Sequence, residues 1–281
     1  MPRPDLVLRP GRDGARLVPD VAYPRAFTLQ VGRTDQSYVD LDDPRRLEFD
    51  YLEQMALVLD HLAPRGRPLR TVHVGGAAMS LARYVAATRP RSSQVVLEPD
   101  TELTAFVREH LPLPPRSGIR VRGVDGRSGV AALRDGFAEV VIVDAFVGPR
   151  TPAELTSLEF WTDVRRVLEE PGTVLVNLTD RGPLAYVRRA LAGLAACFSD
   201  LALIAEASTL KGRRFGNVIL VGSQHPLPID VIAAEAGRAA YPYRVVTGAR
   251  LTQLLAGATP FTDAEAEESP APPAGMAFFG S

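Results

Sequence analysis

Three carboxylates in this chain end apolar runs. Glu98 closes "VVLEPD", Asp125 follows "IRVRGV", and Asp144 closes "VVIVD". In the last case six of the seven residues from Val140 to Phe146 are apolar, and Asp144 alone interrupts them. A fourth run, "RTVHVGG", ends in Gly75-Gly76. Ligands of an open α/β sheet bind outside the carboxyl ends of its strands, so these four ends define one candidate site. Small residues after the first strand let the backbone approach a ligand at a helix N-terminus. Glu98, about twenty residues on, is placed to accept hydrogen bonds from ribose hydroxyls. Asp125-Gly126 suits an adenine amino group. Taken singly, the glycine pair reads equally well as a tight turn, and each acid as a helix cap. Three successive strand ends in acids point instead to a nucleoside pocket. The phosphate-cradling G-x-G-x-x-G is absent, and no Lys or Arg stands beside the glycines. A cationic sulfonium nucleoside fits such a site better than a pyrophosphate-bearing NAD.

The elements that position these residues follow from texture. From Leu69 onward, "RTVHVGG", "SQVVLEPD", "IRVRGVDG", "EVVIVDAF" and "GTVLVNLTD" have the continuous apolarity of buried parallel strands. Helical stretches such as "MSLARYVAAT", "ELTAFVREHL" and "SLEFWTDVRRVL" lie between most of them. This alternation predicts an α/β fold with a Rossmann-like, doubly wound sheet over residues 51–263. Residues 1–50 differ. Their short β-prone segments, separated by turn residues such as Gly14 and Pro24, predict a small N-terminal antiparallel β unit. Phe49, Leu52, Met55, Ala56 and Leu59 then share one helix face. The tail 264–281, acidic and then rich in Pro and small residues, is expected to be disordered.

Bulk composition narrows the class. The chain has 281 residues, 46% of them hydrophobic, with a formal net charge of −1, so a nucleic-acid partner is not expected. No apolar run approaches the ~20 residues of a membrane span, and the first residues lack a signal-peptide pattern. A cytoplasmic protein is expected. The lone Cys197 sits in an apolar helical stretch and reads as an inert core thiol. His61, His73, His110 and His225 are scattered without metal-ligand spacing, so no metal is expected. "KGRRFGN", Lys211 to Asn217, lies between two late strands. Its glycines suggest a hairpin, and its charges a solvated turn or an interface.

From about Gln36 to Ile219 the chain resembles the spermidine synthase (polyamine aminopropyltransferase) family, in particular its divergent actinobacterial-type members. The family pattern D-x-x-D-P-x-G-P-A-E-x-L is kept in outline by Asp144, Gly148-Pro149 and Ala153-Glu154-Leu155, with Glu159-Phe160-Trp161 following. "VVLEPD" is similar to the family's V-x-E-I-D, and "GVDG" to its G-D-G/A segment. The resemblance implies a sheet of the class I methyltransferase type. It also implies decarboxylated S-adenosylmethionine or S-adenosylmethionine as co-substrate, a di- or polyamine acceptor, and a homodimer. By the same resemblance Asp144 is the proton acceptor for the attacking amine, and Tyr51 and Glu53 of "FDYLEQM" line the amine site.

Two departures qualify that expectation. The family loop G-G-G-D-G-G reads "GGAAMS" here, with Ala78 at the Asp that holds the aminopropyl ammonium. The second Asp of D-x-x-D is Val147. Losing two charge-assisted contacts of ~1.5–3 kcal/mol each weakens binding by orders of magnitude unless something compensates. The leading expectation is an aminopropyltransferase with altered amine recognition. A methyltransferase using S-adenosylmethionine and a catalytically inactive nucleoside-binding homologue are the alternatives.

Overall fold

The computed structural model describes residues 5–8, 14–32, 34–238 and 243–273. The chain opens with β1 (Leu6–Val7), β2 (Ala15–Pro19), β3 (Ala26–Val31) and β4 (Thr34–Asp40), paired in sequence order as an antiparallel sheet. Helix α1 (Asp50–Leu62) leads into alternating units: β5 (Arg70–Val74), α2 (Ser80–Thr88), β6 (Ser93–Leu97), α3 (Thr101–His110), β7 (Ile119–Arg122) and α4 (Gly126–Ala131). Then come β8 (Ala138–Val143), α5 (Leu158–Val167), β9 (Leu168–Asp180), α6 (Ala185–Cys197) and β10 (Asp200–Glu206). The remaining elements are α7 (Ala207–Leu210), β11 (Gly216–Ser223), α8 (Ile229–Ala236), β12 (Tyr243–Val246) and α9 (Gly248–Leu255).

The second sheet has the order β12-β10-β11-β9-β8-β5-β6-β7. Strands β9, β8, β5, β6 and β7 run parallel, and β11 is inserted antiparallel between β9 and β10. The chain leaves β5 toward β6 and β7, then returns to β8 on its other side. The crevice between β5 and β8 is therefore the topological switch point, where a doubly wound sheet binds its ligands.

Both faces of this sheet are covered, which is why its strands read as unbroken apolar runs. Val72, Val141, Val143 and Val174 bury one face under Phe160, Trp161 and Val164 of α5 and Leu191 of α6. Val140, Ile142, Leu175 and Ile219 bury the other under Tyr51, Leu52, Met55 and Leu59 of α1. The N-terminal sheet packs Leu17 and Leu29 against Met79, Phe106 and Val107. It is pinned to the start of α2, because Ser80 Oγ donates to the Tyr38 carbonyl (2.7 Å) and the Ala78 amide to Ser37 Oγ (3.2 Å).

One sequence expectation changes here. The segment after Ala264 does not hang free up to Pro273. Ser269 is fully buried, its hydroxyl accepts from the Thr151 amide (2.9 Å), and its own amide donates to the Thr151 carbonyl (3.2 Å). Glu268 pairs with Arg150 at 3.1 Å. Composition misses this because the segment is held by backbone and polar contacts rather than by an apolar stripe. Residues 274–281 lie outside the described residues. The "KGRRFGN" stretch follows the short α7 and joins the antiparallel β10 and β11, with Lys211 to Arg214 exposed. Cys197 is half-buried at the end of α6, and burial pushes its thiol up.

At the carboxyl ends of the strands, β5 and β8 approach closely at Gly75. Its φ is +93°, and a Cβ there would stand 2.2 Å from the Asp144 carbonyl oxygen. Gly75→Ala is expected to cost roughly 2–5 kcal/mol, from left-handed strain plus overpacking against backbone. Gly66 also has positive φ (+77°) but open space around it, so Gly66→Ala should cost only ~1 kcal/mol. Thermal melts of the two variants give the comparison, and equal losses would show that the Gly75–Asp144 approach is not tight.

Candidate active site

Asp144 stands at the switch point because β8 runs one residue past its last apolar position. The Asp144 amide still donates to the Val74 carbonyl of β5 (2.9 Å), so the residue keeps strand direction. Side chains alternate along a strand. Ile142 and Asp144 therefore share a face, as do Leu175 and Asn177 of β9. On that face Asn177 Nδ2 donates to Asp144 Oδ1 (2.9 Å), and the Tyr51 hydroxyl of α1 donates to Asp144 Oδ2 (3.3 Å). Burial pushes the Asp144 carboxyl up to about 6, against the lowering effect of these two hydrogen bonds. Burial, followed by the neighbouring Asp144 charge, holds the Tyr51 phenol well above its ordinary range. Tyr51 is thus a fixed donor, and Asp144 is a carboxylate that changes state just below neutrality.

The glycine turn is organised by Glu98. One carboxylate oxygen accepts from the amides of Gly76 (3.0 Å) and Ala77 (3.1 Å), and the other from the Asp100 amide (2.9 Å). A Cβ on Gly76 would stand 2.9 Å from the Glu98 Cβ, so the bare backbone is what admits the acid. Ala77 (φ +39°) and Met79 (φ +63°) adopt left-handed backbone without being glycine, a conformation that costs a non-glycine residue ~1–2 kcal/mol. Asp125 is the N-cap of α4, accepting from the Ser128 amide (2.8 Å), which holds its carboxyl below the ordinary value. A Cβ on Gly126 would meet Val74 Cγ1 at 2.2 Å. Capping and ligand binding are compatible roles for Asp125, since a carboxylate offers several lone pairs.

Gly75, Gly76, Glu98, Asp125, Gly126, Asp144 and Tyr51 all line one pocket. Glu53 does not. Residues two apart on a helix do not face the same way, and since Tyr51 points into the sheet, Glu53 is exposed, beside Asp50 and Glu48. Ala78 is fully buried and absent from the lining, whereas Val147 lies on the rim, 69% exposed. Four acids line the pocket, Glu98, Asp125, Asp144 and Glu154, with no Arg or Lys among the lining residues. That charge balance favours a cationic ligand. Sequence reasoning missed Asn177 and His73. Their signal was a polar residue inside an apolar strand run, "VLVNLTD" and "TVHVGG". Among the described residues no group of His, Cys, Asp and Glu could hold a metal ion, and no helix is long and apolar enough to cross a membrane.

No protein-family model matches the chain. A polyamine aminopropyltransferase of Chromobacterium violaceum is 28% identical over 152 residues, which is 53% of this chain and 57% of that protein. The chain thus spans little more than half the length of this curated relative. A probable spermidine synthase from Corynebacterium glutamicum superposes with a TM-score of 0.85 at 27% identity, covering 93% of this chain and 97% of that one. Human methyltransferase-like protein 13, solved in complex with SAH, superposes at a TM-score of 0.53 and 21% identity over 76% of this chain and 96% of its own. The last likeness is one of fold, a Rossmann-like sheet of the class I methyltransferase type.

Asp144 carries a stability signature of its own. Its folded pKa of about 6 lies above the unfolded value of about 3.9, so the unfolded chain ionises first as pH rises. The native state therefore loses stability between about pH 4 and 6, on the order of 2–3 kcal/mol, and stays at the lower level above that. Asp144→Asn removes this term. The variant should melt above the wild type at pH 7 and close to it at pH 4, and a variant no more stable at pH 7 would refute the raised pKa.

Proposed function

We propose that this chain, a member of the spermidine synthase-like family, is an aminopropyltransferase that binds a sulfonium nucleoside and passes its aminopropyl group to an amine. The observation that carries the reading is a desolvated carboxylate, Asp144, at the switch point of a pocket lined by acids and no cationic side chain. Glu98 and Asp125 are the ribose and adenine acceptors. The glycine turn lets the nucleoside lie against backbone.

The chemistry follows from charge. An ammonium has no lone pair, so the acceptor nitrogen must lose a proton as it attacks the carbon next to sulfur. The new N–C bond forms, the C–S bond breaks, and its electron pair stays on sulfur as neutral methylthioadenosine. The proton goes to Asp144. A base poised near the working pH is suited to that transfer. Tyr51 and Asn177 hold the carboxylate in place from two elements, leaving its remaining lone pairs to the amine. Glu53 has no part in this scheme, because it faces away from the pocket.

A second reading is methyl transfer from S-adenosylmethionine itself. It is favoured by Ala78, which stands where the family's aminopropyl-binding Asp would be. Calorimetry with S-adenosylmethionine and its decarboxylated form separates the two, and tighter binding of the carboxylated form would replace the first reading by the second.

Asp144→Asn should lower turnover ~10²–10⁴-fold, the range for loss of a general base, while methylthioadenosine affinity stays nearly constant. In the wild type, kcat/KM should fall as pH drops through about 6, where Asp144 takes up its proton. Glu98→Ala should weaken methylthioadenosine binding at least ~10-fold, since a ribose-bound carboxylate contributes about 1.5–3 kcal/mol. Unchanged affinity in the folded variant would remove the ribose assignment.

A further inference from the structure

A deeply buried wall of the pocket is formed by Leu52, Leu81, Ala82, Ile142 and His73. All five are at most 6% exposed. His73 is the polar member, and its neighbours fix which nitrogen carries the proton. Gln94 Nε2 donates to the Ala82 carbonyl (2.9 Å), which orients the amide. Gln94 Oε1 then accepts from Thr71 Oγ1 (3.3 Å) and faces His73 Nε2 at 3.0 Å. Nε2 also stands 3.1 Å from Thr71 Oγ1, whose proton is directed at Gln94 Oε1. Two oxygens with lone pairs toward Nε2 make it the protonated nitrogen. Nδ1 is left as a bare acceptor.

That acceptor has no hydrogen-bond partner among the described residues, and it is not one of the sealed polar atoms that lack a partner. It therefore opens onto the pocket that His73 lines. Burial pushes the imidazole down to about 4, although the Gln94 bond pulls it up, so the ring is neutral at physiological pH. In the parallel register of β5 and β8, His73 pairs with Ile142. Asp144 lies two residues further along the same face, about 8 Å from His73 by strand spacings. The wall between them is apolar.

We propose that this wall is a second subsite, in which His73 Nδ1 accepts a hydrogen bond from a neutral donor at the far end of the acceptor amine. The donor is a hydroxyl or an amide N–H, not a second ammonium. The proposal rests on the aminopropyltransfer reading and refines its substrate class. An ammonium against this wall would be desolvated with no carboxylate beside it, which is costly. A neutral donor needs one acceptor and finds it. The same preference accounts for Val147: an acceptor with one cationic end has no use for the anionic contact missing there.

The test uses three acceptors of one chain length, 4-aminobutan-1-ol, putrescine and butylamine, with decarboxylated S-adenosylmethionine and methylthioadenosine release as readout. The expected result is kcat/KM for the amino alcohol at least ~10-fold above both others, the worth of one well-placed hydrogen bond. His73→Leu should bring the ratio of amino alcohol to butylamine close to one. Preference for putrescine, or a ratio unmoved by His73→Leu, overturns the subsite and leaves aminopropyl transfer standing. Absence of methylthioadenosine release with every acceptor overturns aminopropyl transfer instead. In that case, or if His73→Leu does not fold, nitrogen NMR of the wild-type histidine rings decides. On titration with 4-aminobutan-1-ol in the presence of methylthioadenosine, a shift of the His73 Nδ1 resonance supports the subsite, and an unmoved resonance refutes it.

Discussion

The contact between the end of β5 and the end of β8 governs the site. The Asp144 backbone comes so near Gly75 that any side chain at 75 would collide with it, and the Asp144 amide is tied to the Val74 carbonyl. One backbone approach thus sets the position of the carboxylate relative to the glycine turn. Glu98 then draws the turn inward through two amides. Glycine turn and carboxylate are therefore parts of one rigid unit, with no mobile side chain setting the distance between them. The strain in Ala77 and Met79 is borne by the packing of the N-terminal sheet, which buries Met79 and holds the Ala78 amide through Ser37. The small sheet is a buttress for the loop.

The Asp144 carboxylate shows how opposing terms are balanced. Burial disfavours its charge, while Asn177 and Tyr51 favour it, and the outcome is a group near half-ionisation at mildly acid pH. Full satisfaction would make a permanently charged, unreactive acid; no partners at all would make a neutral one. Strand parity supplies this environment cheaply. Ile142 and Asp144, Leu175 and Asn177, and Thr71 and His73 project on the same side of three neighbouring strands. A single apolar face beneath α1 thus changes into a polar one toward its carboxyl end.

Much of this was legible in the sequence. Strand ends are marked where an apolar run meets an acid or a glycine pair, and the order of Gly75, Glu98, Asp125 and Asp144 along the chain sufficed to gather them at one crevice. Other parts were not legible. The apolar face of α1 was legible, but Tyr51 and Glu53 came from a resemblance rather than from that face; two apart on a helix, they diverge, and only Tyr51 turns inward. Asn177 and His73 sit inside apolar runs, where a polar residue signals interest but not which partner it meets across the sheet. The tail lacked any periodic signal because Ser269 is held through backbone amides and hydroxyls, contacts to which sequence pattern is blind.

That tail has a consequence in time. Thr151, in the loop that follows Asp144, is clasped by Ser269, 118 positions later in the chain. A ribosome adds roughly 5–20 residues each second. Several seconds thus separate synthesis of the loop from synthesis of its clasp. Through that interval the sheet, the glycine turn and the carboxylate can already be in place while the loop beside them is unfastened. The nascent chain holds the strand ends that form the pocket before it holds the contact that fastens the loop after Asp144.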